Sequence, residues 1–120
     1  MRPLAIDEKG GVLVIKVEDN AALNENQAAG LRQGLYATIA ARPFPRLALD
    51  LSRVDYISST GIALLIGTKR RVESAQGKLV LFGLHPDIVE LFHSMRLMGL
   101  FEVAGDEASA LSLLPSSPVA

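Results

Sequence analysis

Apolar residues along this chain keep two different periods, and the places where one gives way to the other mark the elements. Leu4 to Asp7 and Val12 to Val17 run apolar or alternate around Lys9-Gly10-Gly11, which predicts two antiparallel strands joined by a tight glycine turn. From Ala28 the period lengthens. Ala28, Leu31, Leu35 and Ile39 return every three or four residues while Arg32 and Gln33 fall on the opposite side, the pattern of an amphipathic helix. Ahead of it, Asn24-Glu25-Asn26-Gln27 has the form of a capping box, with Asn24 as cap, Gln27 three residues on, and Leu23 placed to staple against Ala28. Gly30 and Gly34 interrupt that helix at up to about 1 kcal/mol each relative to alanine, so close packing is expected to need small residues there.

Arg42-Pro43-Phe44-Pro45 ends the helix, because proline lacks the N–H and restricts the residue before it. Arg46 to Leu51 then reads as a buried strand. Ile62, Leu65, Ile66 and Val72 recur at helical spacing, and the second helix is expected to run to about Gln76 and stop at Gly77 as its left-handed terminal residue. Leu79 to Phe82 is a continuous apolar run, short enough for a strand covered on both faces. From Pro86 a third helix is marked by Ile88, Leu91, Phe92 and Met95 at i, i+3, i+4 and i+7, with Gly99 closing it. Phe101 to Ala104 makes a last strand and Asp106 to Leu114 a last short helix, before Pro115 to Ala120 trails off as a flexible tail. The order ββαβαβαβα predicts an α/β fold: a mixed, mostly parallel sheet of about five strands with four helices. One domain is expected over 1–114, with a tail over 115–120.

Composition narrows the picture. A chain of 120 residues, nearly half of them apolar and only 5% aromatic, can bury an aliphatic core without disulfides or metal. A formal net charge of −1 argues against electrostatic capture of nucleic acid or an anionic membrane surface. Lys69-Arg70-Arg71 is the basic run, and consecutive residues cannot share one helix face, so a solvated face is expected for it. Without cysteine there is no thiolate nucleophile and no cysteine-ligated zinc. No apolar run reaches the roughly 18 residues of a membrane span, so the expectation is a soluble cytoplasmic protein without a membrane partner.

The candidate chemistry lies at one strand-to-helix junction, Val54-Asp55-Tyr56-Ile57-Ser58-Ser59-Thr60-Gly61. Its hydroxyls fall on the first helical turn, where backbone N–H groups lack intrahelical partners and the helix dipole favours an anion. Either Ser58 or Ser59 is expected to occupy the cap position with its hydroxyl exposed, and a plain N-cap accounts for one of them without any ligand. No phosphate-binding P-loop or dinucleotide Gly-x-Gly-x-x-Gly turn is present, and Gly10-Gly11 is explained by the hairpin. The two histidines, His85 and His93, read as surface or cap residues, not as a metal site. Asp50, Asp55, Glu18 and Asp19 are carboxylates of the kind that strand ends and turns carry. Nor is Ser58 or Ser59 set in the Gly-x-Ser-x-Gly pattern of a hydrolase elbow. A binding protein without cofactor is expected, not an enzyme.

The element order and two groups of residues resemble the STAS domain, the fold shared by sulfate transporters and bacterial anti-sigma factor antagonists. The first group is Leu49-Asp50-Leu51 followed by Val54 to Gly61; the second is Val89-Glu90-Leu91-Phe92 with Met98-Gly99-Leu100-Phe101, and Ala75-Gln76-Gly77-Lys78-Leu79 is similar to the family's turn into its next strand. The short length is like that of the antagonists. In them, a serine two residues before the glycine is phosphorylated by the anti-sigma factor, itself a serine kinase. The resemblance therefore implies a regulator of sigma-factor-dependent transcription that binds this partner, is phosphorylated at Ser59, and uses Asn24, Asp55, Ser58, Thr60 and Gly61 as supporting or partner-binding residues. Ser58 and Asn24 stand where the family commonly has acidic residues. The alternative is a STAS module in a transport or signalling complex, where the serines only cap the helix.

Overall fold

The computed structural model describes residues 4–17 and 28–114. Strand β1 (Leu4–Lys9) pairs antiparallel with β2 (Val12–Val17), Lys9 opposite Val12. Gly10 and Gly11 turn the chain at φ of 60° and 81°, the left-handed region that a two-residue hairpin of this hand requires. Helix α1 (Ala28–Ala40) leads to β3 (Arg46–Asp50), α2 (Ser59–Ser74) to β4 (Lys78–Phe82), α3 (Pro86–Ser94) to β5 (Glu102–Ala104), and α4 (Glu107–Ser112) follows. The sheet order is β1-β2-β3-β4-β5, parallel from β2 onward, as the alternation of strands and helices predicts.

Strand alternation sorts the core onto two faces. Leu13, Ile15, Leu47, Leu49, Leu79 and Leu81 meet Leu31, Leu35 and Ile39 of α1, Ile62, Leu65 and Val72 of α2, and Ile88 and Phe92 of α3. Val12, Val14, Ala48, Val80 and Phe82 point the other way, to Ala110 of α4 and Leu114 beyond it. β4 is thus covered on both sides, which is why its run is unbroken by polar residues.

Several local expectations are corrected. The left-handed residue after α2 is Gln76, at φ 62°, and not Gly77. Gln76 N–H bonds to the Glu73 carbonyl at 2.9 Å and Gly77 N–H to that of Val72 at 2.8 Å, a Schellman ending in which glycine takes the following place. The third helix stops at Ser94 with Met95 as its cap and Arg96 left-handed at φ 58°, so Gly99 does not close it. Met95 is accordingly 48% exposed, outside the buried stripe, because the chain leaves helical geometry before the stripe reaches it. Gly30 faces open space, so packing does not call for it. The basic run is partly engaged: Lys69 Nζ lies 2.7 Å from Glu73, and the Arg71 guanidinium stacks 4.0 Å over the Tyr36 ring. The capping box at Asn24, the Leu23–Ala28 staple, Glu18, Asp19 and the 115–120 tail lie outside the described residues.

Candidate functional site

The site is built at the carboxyl end of β3. Asp50 closes the strand, its Oδ1 accepting the Ser52 N–H at 2.8 Å, and the Val54 N–H returns to the Leu51 carbonyl at 2.9 Å. These bonds start a turn that leads the chain over the end of the sheet. Leu51, Val54 and Ile57 are buried in the main cluster and pin the connection from below. Ser52, Arg53, Asp55 and Tyr56 are left on the outside.

The choice between the two serines is resolved by geometry. Ser58 is the N-cap of α2: its backbone is extended, at φ −79° and ψ 172°, its Oγ accepts the Gly61 N–H at 3.1 Å, and its carbonyl accepts the Ile62 N–H at 2.9 Å. Contrary to the expectation of an exposed cap hydroxyl, Ser58 is only 7% exposed. Ser59 is the first residue of the helix, and it and Thr60 are exposed. Gly61 is buried beneath them. Ile57 before the cap and Ile62 four residues after it are both buried in the main cluster, the spacing of a hydrophobic staple. That pair was the sequence signal that could have assigned the cap to Ser58.

The first turn of α2 carries no acidic residue, so no side-chain carboxylate there competes for the positive end of its dipole. Tyr56, two residues before the cap, is 62% exposed. His85 and His93 do not join the site: His85 caps α3 and His93 is exposed near its end. Among the described residues no group of three His, Asp or Glu could hold a metal ion, and no helix is long and apolar enough to cross a membrane. Asn24 cannot be set beside these residues, since it lies outside those described.

The family model for the STAS domain matches residues 4–110. The chain is 31% identical over 116 residues to BtrV of Bordetella bronchiseptica, a candidate anti-sigma factor antagonist by name, covering 96% of this chain and 97% of that one. An anti-sigma-factor antagonist STAS domain protein from Planctomyces limnophilus superposes with a TM-score of 0.81 at 18% identity, over 92% of this chain and 96% of that one. The Bacillus cell fate determinant SpoIIAA in its phosphorylated form superposes with a TM-score of 0.66 at 18% identity, over 92% and 97%. At such identities these two structures speak for the fold.

Proposed function

The chain belongs to the STAS domain family, and from that premise we propose that it is an anti-sigma factor antagonist switched off by phosphorylation of Ser59. Its partner on this reading is a cytoplasmic anti-sigma factor that is also a serine kinase, and the outcome is control of sigma-factor-dependent transcription. The observation that carries the reading is the division of labour between adjacent serines. Ser58 is sequestered as the cap, whereas the Ser59 side chain is offered to solvent on the first turn. The family pattern puts the phosphoacceptor at that same position, two residues before Gly61.

The physical switch is local. Unmodified, Asp55, Ser59 and Thr60 are exposed at this junction, and Ser58 and Gly61 serve from beneath by fixing the helical turn. A phosphoryl group on Ser59 adds roughly −1.5 to −2 charges and strong acceptor oxygens, which a docked partner must desolvate or repel. The α2 dipole accommodates the new charge in the free protein, so release requires no refolding. The protein itself contributes a surface and a hydroxyl; the phosphoryl transfer belongs to the partner.

The test is mass spectrometry of the protein purified from its native cells, searched for phosphate on Ser58, Ser59 and Thr60, joined to kinase labelling of the three alanine variants. Phosphate is expected on Ser59, with labelling lost in Ser59→Ala and partner binding weakened in Ser59→Asp. Labelling of Ser59→Ala at the wild-type level, or undiminished binding by Ser59→Asp, would remove the switch from this residue.

A further inference from the structure

Helix α3 is capped by a ring nitrogen. His85 is its N-cap, and its Nδ1 accepts the Asp87 N–H at 3.1 Å. Only the neutral ring, with its proton on Nε2, can accept through Nδ1, so this bond belongs to the uncharged histidine. Pro86 offers no N–H, and the N–H groups of Ile88 and Val89 bond to the His85 carbonyl at 2.8 and 3.0 Å. The Asp87 N–H is therefore the first-turn donor whose partner depends on the state of the ring. The Asp87 carboxylate stands on the same side, with Oδ2 3.7 Å from Nδ1, and the two side chains are 42% and 75% exposed. Solvent reaches both.

Histidine ordinarily changes charge between about pH 5 and 8. A proton taken up from solvent at Nδ1 turns that atom from acceptor to donor. The Asp87 N–H then loses its cap, while the new Nδ1–H finds the Asp87 carboxylate within easy rotation. A cation at this end of the helix also opposes the dipole. We propose that the first turn of α3 is a pH-responsive latch, closed while His85 is neutral and opened when the protonated ring turns to Asp87.

Asp87 is the receiving group, its Oδ2 3.7 Å from Nδ1. From the neighbouring strand the acidic residue at this junction is Asp50: a Cβ on Gly83 would lie 3.3 Å from its Oδ1, but that oxygen already accepts the Ser52 N–H at 2.8 Å. The same contacts tell where the latch acts. Leu51 N–H bonds to the Phe82 carbonyl at 3.0 Å, so the connection leading to His85 runs beside the one leading to Ser59. Opening the first turn of α3 would alter the end of the sheet that also carries Ser59, whether or not Ser59 is a phosphoacceptor.

The test is an NMR titration of the purified, 15N-labelled protein between pH 5.5 and 7.5, reading the His85 ring nitrogens and amide exchange at Asp87 relative to its intrinsic rate. At the upper pH the ring should carry its proton on Nε2, and protection at Asp87 should fall about fivefold at the lower pH, the effect of losing a typical cap. His85→Asn, which caps without titrating, should hold its protection constant. A ring protonated on Nδ1 at pH 7.5, a flat wild-type profile, or the same fall in His85→Asn would each overturn the proposal; the wild-type profile alone decides it if the variant does not fold.

Discussion

The carbonyl oxygen of Pro45 occupies the space where a side chain on Gly77 would begin, 1.9 Å from the ideal Cβ position. That oxygen accepts the Lys78 N–H at 2.9 Å, so the contact ties the start of β4 to the start of β3. Glycine is demanded at this position by a neighbouring backbone and not by its own dihedral angles. Gly77→Ala should lower stability by about 1–3 kcal/mol, as overpacking does, read as a lower urea midpoint at unchanged slope. An unaltered midpoint would mean that the Pro45 carbonyl moves aside freely.

Ser58 and Ser59 should differ in stability as they differ in geometry. Ser58→Ala removes the acceptor of the Gly61 N–H and should cost about 1 kcal/mol, whereas Ser58→Asn, another good cap, should recover most of it. Ser59→Ala, at an exposed first-turn position, should stay within about 0.5 kcal/mol of the parent. Urea denaturation of the three variants checks this, and the reverse ranking would transfer the cap to Ser59.

On α3, the periodic stripe should divide in two. Phe92 is fully buried with its ring 5.7 Å from that of Phe101, and Phe92→Ala should cost about 3–5 kcal/mol. Met95→Ala, three residues on and half-exposed, should change stability by less than about 0.5 kcal/mol. Comparable losses from both would show that Met95 packs after all.

Acid should act on α4 through its cap. The Asp106 carboxylate accepts the backbone N–H of Ser109 at 2.8 Å, and that bond, followed by one from the Ser109 side chain, holds its pKa below the ordinary aspartate value. Because the folded value is the lower one, the contribution is complete above the unfolded aspartate range and is lost as pH falls through the depressed value. Asp106→Asn, which caps without titrating, should flatten the acid limb of the stability curve. An NMR titration placing the Asp106 carboxyl at or above the ordinary range would contradict this.

The pairing of Glu8 with Arg42 offers a second acid-sensitive contact. The two nitrogens of Arg42 reach the two carboxylate oxygens of Glu8 at 3.2 and 3.1 Å, and the hydrogen bonds, with the guanidinium charge behind them, lower the Glu8 pKa. Arg42→Gln should bring the Glu8 titration back up toward the ordinary range, measured by NMR of its side-chain carboxyl. No upward movement would mean that the fork between them is not kept in solution.

The chain's own pattern determined the order of elements and the faces they bury. The nearly continuous apolar run at Val12–Val17 and the unbroken one in β4 marked strands, the spacing of Leu31, Leu35 and Ile39 marked a helix, and Gly10-Gly11 marked a turn, because each of these follows from bonds and packing between near neighbours in sequence. The strand-to-helix junction with its hydroxyls was legible for the same reason. Tertiary structure decided what depends on groups distant along the chain. It set Gly77 against the Pro45 carbonyl, where no other residue fits, and it exposed Met95 because α3 ends as the chain turns to pack Leu97 and Phe101. It separated Ser58 from Ser59 because a core drawn from distant strands and helices buries Ile57 and Ile62 and so fixes how the chain enters α2, turning one hydroxyl inward to the backbone and leaving its neighbour to the solvent.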